Sequence, residues 1–227
     1  MSFNIAIDGP AGAGKSTIAR RLAEKISFIY VDTGAMYRAM AYYFLTHQIS
    51  AEDEDALRKA CDDIQIELSY RDGVQKVILN GEDISGEIRK EEVGNMASAT
   101  SGYSFVREKL LSLQQDLAAR NNVIMDGRDI GTCVLPDAQL KVYLTAGVYT
   151  RAMRRYKELT EKGVACDLDE IAKDIEERDY RDMHREIAPL KAAEDAEILD
   201  SSDMDISQVV DAIYGMAVRA GLSSELM

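Results

Sequence analysis

Gly9-Pro10-Ala11-Gly12-Ala13-Gly14-Lys15-Ser16, followed at once by Thr17, is the stretch on which the reading of the fold turns. It fits GxxxxGK[ST], and each fixed position has its own chemical reason. The glycines let successive backbone N–H groups converge on phosphate oxygens without Cβ clashes, which makes an anion nest at a helix N-terminus. Lys15 can then reach the β- and γ-phosphates of a triphosphate, and the Ser16 hydroxyl can bind Mg²⁺. The flanks supply the strand–loop–helix context that such a loop requires. Residues 3–8 (FNIAID) read as a short buried strand. Residues 15–26 put Ile18, Ala19, Leu22, Ala23 and Ile26 on one helical face and Arg20, Arg21, Glu24 and Lys25 on the other. A dinucleotide-binding turn is disfavoured, because Thr17 stands where a third glycine or alanine is expected.

Outward from the loop, a second strand is expected at 28–32 and a helix at about 33–44. Residues 63–70 (DIQIELSY) and 75–80 (QKVILN) alternate apolar and polar around a turn at Arg71-Asp72-Gly73. That is an antiparallel hairpin with one wet face, the start of a small β-rich insert. A helix over about 103–120 and strands at 122–126 and 139–145 come next. Arginine- and glutamate-rich helices follow at about 148–162 and 168–185, then a strand at 196–199. The last helix opens on a capping pair, Asp205 with Gln208, and carries an apolar stripe of Ile206, Val209, Val210, Ile213 and Met216. Strands alternating with helices predict an α/β fold with a doubly wound, mostly parallel sheet.

The formal net charge of −13 over 227 residues argues against a nucleic-acid binder, which needs a basic footprint. A small anionic ligand requires only that positive charge be gathered locally. Cys61, Cys133 and Cys166 are scattered and read as reduced thiols, and His47 with His184 is too sparse a set for a metal cluster. No apolar run approaches a membrane span, and the N-terminus has no signal-peptide pattern, so the expected address is the cytoplasm.

The loop alone does not separate a small-molecule kinase from a GTPase or a motor, although no guanine-reading Asn-Lys-x-Asp is present. A second set of cations does. Arg38 lies in DTGAMYR (32–38), Arg128 lies in DGRD (126–129) just past a strand end, and Arg178, Arg181 and Arg185 recur at helical spacing. That last run also reads as a solvated helix laced by Glu–Arg pairs. Taken with Arg38 and Arg128, it points to transfer between two anions, where arginine's fixed fork neutralises the moving phosphoryl group. No general base stands out. A phosphate monoester, with its second pKa of about 6, is already mostly dianionic and needs none. The pattern therefore favours a nucleoside monophosphate kinase.

The chain resembles the bacterial-type cytidylate kinases of the P-loop kinase superfamily. The matching segments are IDGPAGAGKST (7–17), DTGAMYR (32–38), LNGEDISGEIR (79–89), DGRDIGTCVLPDA (126–138) and ERDYRDMHREIAPL (177–190). The resemblance implies a P-loop core over 1–59 and 99–227, a monophosphate-binding insert over 60–98, and a mobile helical lid at about 149–162. It implies ATP-dependent phosphorylation of CMP and dCMP by a monomer with Mg²⁺, in pyrimidine nucleotide metabolism. Gly9, Pro10, Ala11, Gly12, Ala13, Gly14, Lys15, Ser16 and Thr17 would hold ATP, joined from the lid by Arg154 and Arg155. Ser98, Arg107 and Asp129 would read cytosine, Arg178 and Asp182 would hold the sugar, and Arg38, Arg128 and Arg185 with Thr33 would hold the CMP phosphate. Lys15, Arg38, Arg128 and Arg185 would be the catalytic cations. Ser98 reads equally as a helix-surface serine, and Asp126 either pairs with Arg128 or orients a water on Mg²⁺. At Gly102-Tyr103-Ser104-Phe105 the chain departs from the family, which has a proline before Val-Arg-Glu; this bears on where the helix holding Arg107 begins. The alternatives are a P-loop kinase for another monophosphate or for shikimate, and a non-catalytic ATP-binding module.

Overall fold

The computed structural model describes residues 2–71, 74–223 and 226. Among these residues the chain forms a five-stranded sheet, a three-stranded sheet and the helices around them. It divides into two compact units, Met1–Tyr30 with Arg120–Met227, and Val31–Ala119.

The first unit is built on the sheet ordered β2-β6-β1-β7-β8. Its strands are β1 (Asn4–Asp8), β2 (Ile29–Asp32, whose last two residues belong to the second unit), β6 (Val123–Gly127), β7 (Leu140–Thr145) and β8 (Glu197–Asp200). β1 is central and parallel to both neighbours, so Ile5 faces Ile124 on one side and Leu140 on the other. Ile5, Ala6 and Ile7 are wholly buried, as expected of a parallel strand with both faces covered. α1 (Lys15–Ile26) and α8 (Ile206–Arg219) contribute Ile18, Leu22, Ile26, Val209, Val210 and Ile213 to one apolar cluster. The capping box that Asp205 and Gln208 spell out is present, with both hydrogen bonds at 2.9 Å. Because the chain continues from β1 to one side and later from β6 to the other, the strand order reverses at β1. The crevice at the carboxyl end of such a strand is where open α/β sheets bind ligands. α6 (Val148–Glu161) and α7 (Leu168–His184) complete this unit.

The second unit holds α2 (Thr33–Thr46), α3 (Glu54–Asp63), β3 (Ile66–Arg71), β4 (Val74–Leu79), β5 (Glu82–Asp83), α4 (Glu91–Thr100) and α5 (Ser104–Arg120, which ends one residue into the first unit). Its own core gathers Met36, Met40, Phe44, Leu57, Ile64, Val77, Val106 and Leu110. β3 and β4 pair antiparallel, Ile66 opposite Leu79, as the alternation predicts. Residues 72 and 73 of the expected turn lie outside the described residues. β5 adds a third strand that the alternation does not announce. It is made by Asn80-Gly81, both at positive φ (48° and 88°), the two-residue turn that best matches strand twist.

Elsewhere the elements fall within a few residues of expectation, with three differences. α3 and α4 are additional helices, and the second acidic helix stops at His184, so Arg185 lies beyond it in extended backbone. The helix carrying Arg107 starts at Ser104 without the proline.

Candidate functional site

The loop leaves β1 in a conformation that only glycine allows. Gly9 has φ 151°, and a Cβ there would lie 2.0 Å from the carbonyl oxygen of Leu144 on β7. Gly14, at φ 87°, caps α1 in the left-handed region. Strand and helix therefore meet through a turn tight enough to leave backbone N–H groups facing outward. Lys15 is buried, and its ammonium donates to Pro10 O at 2.7 Å. Burial, then the positive charge of Arg128, push its pKa well below the ordinary lysine value, while Asp126 and Asp8 pull it back. The charges of two arginines, Arg128 and Arg178, and of two carboxylates thus all act on this ammonium. Ser16 Oγ donates to Asp126 Oδ2 at 2.9 Å, and the Tyr30 hydroxyl donates to Oδ1 at 2.8 Å. Of the two readings of Asp126, its carboxylate is thus turned to the loop serine, while Arg128 Nε donates to Asp182 Oδ2 at 2.8 Å.

Just past β6 the chain makes a π-helical turn, Ile130–Val134. Asp8, at the end of β1, holds its start: Oδ1 accepts from Ile130 N at 2.8 Å and Oδ2 from Gly131 N at 2.7 Å. Burial lifts the Asp8 pKa to about 6, against the two N–H donors, which lower it. This fastening fixes where Arg128 and Asp129 leave the strand. Asp129 is buried and accepts from Arg185 Nη2 at 3.4 Å, while Arg185 Nε donates to Ala188 O at 2.7 Å. Asp182 is buried, which opposes its charge, yet Arg128, with Arg178 and Arg185 behind it, holds the carboxyl below the usual range. The expectation that Arg178, Arg181 and Arg185 share one helical face is corrected here. Arg178 is half-buried, Arg181 is exposed, and Arg185 works from the extended segment after the helix.

Arg154 and Arg155 part company although adjacent. Arg154 Nη2 donates to Ser201 O at 2.6 Å and Nη1 reaches Ala13 O at 3.4 Å, beside the loop. Arg155 is turned outward, with Nη1 on Glu158 Oε2 at 3.1 Å.

In the second unit Asp32 caps α2, with Oδ1 accepting from Ala35 N at 2.8 Å, and its Oδ2 takes Arg38 Nη2 at 3.0 Å. Gly34 leaves room for that pair, since a Cβ there would sit 3.1 Å from Arg38 Nη1. Thr33 is buried at the start of the same helix. Gln75 of β4 donates to Asp32 O at 3.3 Å and accepts from Asp32 N at 2.9 Å, tying the hairpin to the residue that orients Arg38. Arg107 donates to Ser101 O at 3.1 Å, and its guanidinium lies 5.5 Å from the centre of the Tyr37 ring. The Ser98 hydroxyl oxygen is buried with no hydrogen-bond partner. Ser98 itself is half-buried on α4, with that oxygen turned away from solvent.

A family model described as cytidylate kinase matches residues 5–219, nearly the whole chain. The chain belongs to the cytidylate kinase family. It is 49% identical over 211 residues to the cytidylate kinase of Caldicellulosiruptor saccharolyticus, spanning 93% of this chain and 93% of that protein. It is 48% identical over 219 residues to that of Streptococcus pneumoniae strain 70585, spanning 96% and 98%. In fold it is similar to the crystal structure of an uncharacterized protein from Eubacterium ventriosum ATCC 27560, with a TM-score of 0.54, 13% identity, and 96% and 99% of the two chains covered.

Relative to the residues that the cytidylate kinase resemblance singled out, the first unit gathers the loop, Asp126, Arg128, Asp129, Arg154, Arg178, Asp182 and Arg185, and leaves Arg155 on the surface. The second unit holds Thr33, Arg38, Ser98 and Arg107. Four contributors escaped the sequence reading: Asp8, Tyr30, and Arg151 with Asp179, which bind the carbonyl and the N–H of the loop residue Ala11. Asp8 adjoins the loop motif and Asp179 lies inside the ERDYRD run, so both were visible as charges in motifs. Nothing local marked Tyr30 or Arg151.

Proposed function

We propose that this chain transfers the γ-phosphoryl group of ATP to CMP or dCMP, giving ADP and CDP or dCDP. The observation that carries the reading is the concentration of cations at the end of β1 and β6: a buried Lys15 in a phosphate-cradling loop, with Arg128 and Arg178 acting on it. One anion site does not need that much charge. ATP lies with its phosphates in the loop Gly9–Thr17, against the N–H groups from Gly12 onward, since Pro10 has none and that of Ala11 is held by Asp179; Lys15 leaves Pro10 O for a phosphate oxygen. Arg154 and Arg155 belong to the lid and meet the same phosphates. Arg38, Arg128 and Arg185, with Thr33, take the acceptor phosphate and offset the repulsion of two anions brought into line. The acceptor is already dianionic, so its oxygen attacks without a base.

Arg178 and Asp182 hold the sugar. Asp129 accepts from the exocyclic amino group of cytosine, and Ser98 and Arg107 donate to its ring acceptors. The orphaned Ser98 hydroxyl supports a ligand at that position. Uracil presents a carbonyl where cytosine has an amine, so it sets an acceptor against the Asp129 carboxylate and forfeits that hydrogen bond. A buried group left unsatisfied costs about 1–3 kcal/mol, roughly 5- to 150-fold in discrimination. Ser16 and Asp126 are the hard-oxygen groups suited to Mg²⁺, which usually relies on few protein ligands and on substrate phosphates. Among the described residues no cluster of three His, Cys, Asp or Glu could hold a metal unaided. When bound, Mg²⁺ offsets charge on the triphosphate; Ser16 and Asp126 orient it.

We divide the chain into a core of residues 1–59 and 99–227, a monophosphate-binding insert of 60–98 and a lid at about 149–162, acting as a cytoplasmic monomer. No helix of the described residues is long and apolar enough to cross a membrane. A coupled assay over CMP, dCMP, UMP, AMP and GMP tests the reading. CMP and dCMP should be turned over well ahead of the rest, and equal or faster turnover of UMP, AMP or GMP overturns the cytosine assignment.

A further inference from the structure

Ala11, at the crest of the loop, has both of its backbone polar groups taken by one buried ion pair. Its N–H donates to Asp179 Oδ1 at 3.2 Å, and its carbonyl accepts from Arg151 Nη1 at 2.8 Å. Arg151 Nη1 and Asp179 Oδ2 are 2.6 Å apart, and Arg151 Nε donates to Ala146 O at 2.8 Å. The two residues are 4% and 7% exposed. Arg151 comes from α6 and Asp179 from α7, so two helices converge on one loop residue.

A peptide unit is planar and trans, so its N–H and C=O point in opposite directions. When Asp179 holds the N–H of Ala11, the carbonyl of the same unit, that of Pro10, must point the other way. There it accepts the ammonium of Lys15 at 2.7 Å. When Arg151 holds the carbonyl of Ala11, the N–H of Gly12 is likewise turned away from the ion pair. Two consecutive peptide planes are thereby set, and with them the resting place of Lys15 and the aim of one nest N–H. Mere packing of α6 on α7 would not require this. Burying two charges is costly, and apolar side chains of similar volume pack helices at least as well. Such side chains would leave the two planes of the loop free to rotate.

We propose that Arg151 and Asp179 are positioning residues that clamp Ala11 and so preset the loop for a triphosphate before the nucleotide arrives. The proposal rests on the reading of Gly9–Thr17 as the ATP cradle. The pair touches neither substrate. Its effect passes through the Pro10–Ala11 and Ala11–Gly12 peptides, so it should fall on ATP and spare the binding of the acceptor.

The test uses the full chain with Asp179→Leu, which has no acceptor for the Ala11 N–H, with Arg151→Met, and with the double variant Arg151→Met/Asp179→Leu. The double variant leaves no charge buried alone and keeps the comparison open if a single change prevents folding, as judged by circular dichroism. Two readouts are taken. Amide exchange of Ala11, followed by NMR without nucleotide, should be slow in the parent and at least about tenfold faster in each variant that removes Asp179, because the N–H bond is lost. Steady-state rates with Mg²⁺–ATP varied at saturating CMP should show kcat/KM for ATP falling about tenfold or more, while KM for CMP stays within about threefold. Unchanged Ala11 exchange in a folded variant without Asp179 overturns the clamp. So does a folded variant within twofold of the parent in kcat/KM for ATP, or one whose KM for CMP rises as much as that for ATP. A parent that phosphorylates no monophosphate defeats the kinase reading instead, and the exchange comparison then still decides whether the pair holds Ala11.

Discussion

Asp8 gives the most direct test of the electrostatics at the end of β1. Its carboxylate is buried under the π-helical turn, and desolvation raises its pKa from 3.8 to about 6 despite the N–H donors of Gly131 and Ile130, with Asp129 adding a smaller push upward. Between those two values the folded chain keeps a proton that the unfolded chain has released. Stability therefore falls as pH rises through this window, at about 1.4 kcal/mol per pH unit, and levels off above the folded-state value. Over a window from 3.8 to about 6 the loss sums to about 3 kcal/mol, on the order of a quarter of the stability of an ordinary domain. Other titrating groups cancel when the parent is compared with Asp8→Asn. Urea unfolding of both proteins from pH 3 to 7.5 should show the parent's advantage shrinking by about that amount across the range and staying constant above about pH 7. The carboxyl ¹³C resonance of Asp8, assigned by its loss in Asp8→Asn, should titrate with a midpoint near 6. A midpoint at or below 4, or a stability difference that does not change with pH, refutes the reasoning.

Two further outcomes follow from the loop. Lys15→Ala should lower kcat with CMP by about 10²- to 10³-fold, with the circular dichroism spectrum unchanged, because it removes a preorganised charge from the transferring phosphoryl group; a loss of less than fivefold means that the loop is not the catalytic cradle. Gly9→Ala should cost about 2–4 kcal/mol in urea unfolding, since it combines a strained φ with a Cβ placed against backbone; a cost below about 1 kcal/mol means that β1 and β7 move apart more easily than their pairing implies.

Much of the molecule is legible in one dimension because its elements are locally determined. α1 starts and stops at Lys15 and Ile26, where glycine chemistry and apolar spacing put it, and α8 opens on the capping box that Asp205 and Gln208 spell out. α3 and α4 pass unread. In α3 only Leu57, Ala60 and Cys61 are buried along an otherwise charged helix, and α4 buries only Val93, Met96, Ala97 and Thr100 on a stretch weakened by Gly94 and Asn95. Asn80-Gly81 was a readable signal for β5, half hidden because the strand it opens is only two residues long.

The divide is sharper among the site residues. Gly9–Thr17, Arg38, Arg128 and the 177–190 segment could be picked out by sequence because their chemistry is a matter of residue type at short spacing. A nest needs glycines in a row, and a phosphate needs arginines near a strand end. Sequence also determined the family, since five motifs in order over the chain constrain far more than the loop does. What it could not decide is which charge answers which. Asp126 turns to Ser16, Arg128 to Asp182, Arg185 to Asp129, and Arg151 with Asp179 to Ala11, across separations of 54 to 168 positions. Those pairings follow from strand order, because parallel strands bring their carboxyl ends together whatever the length of chain between them. A buried charge must then find its partner among the groups that the sheet has delivered, and only the folded chain shows which groups those are.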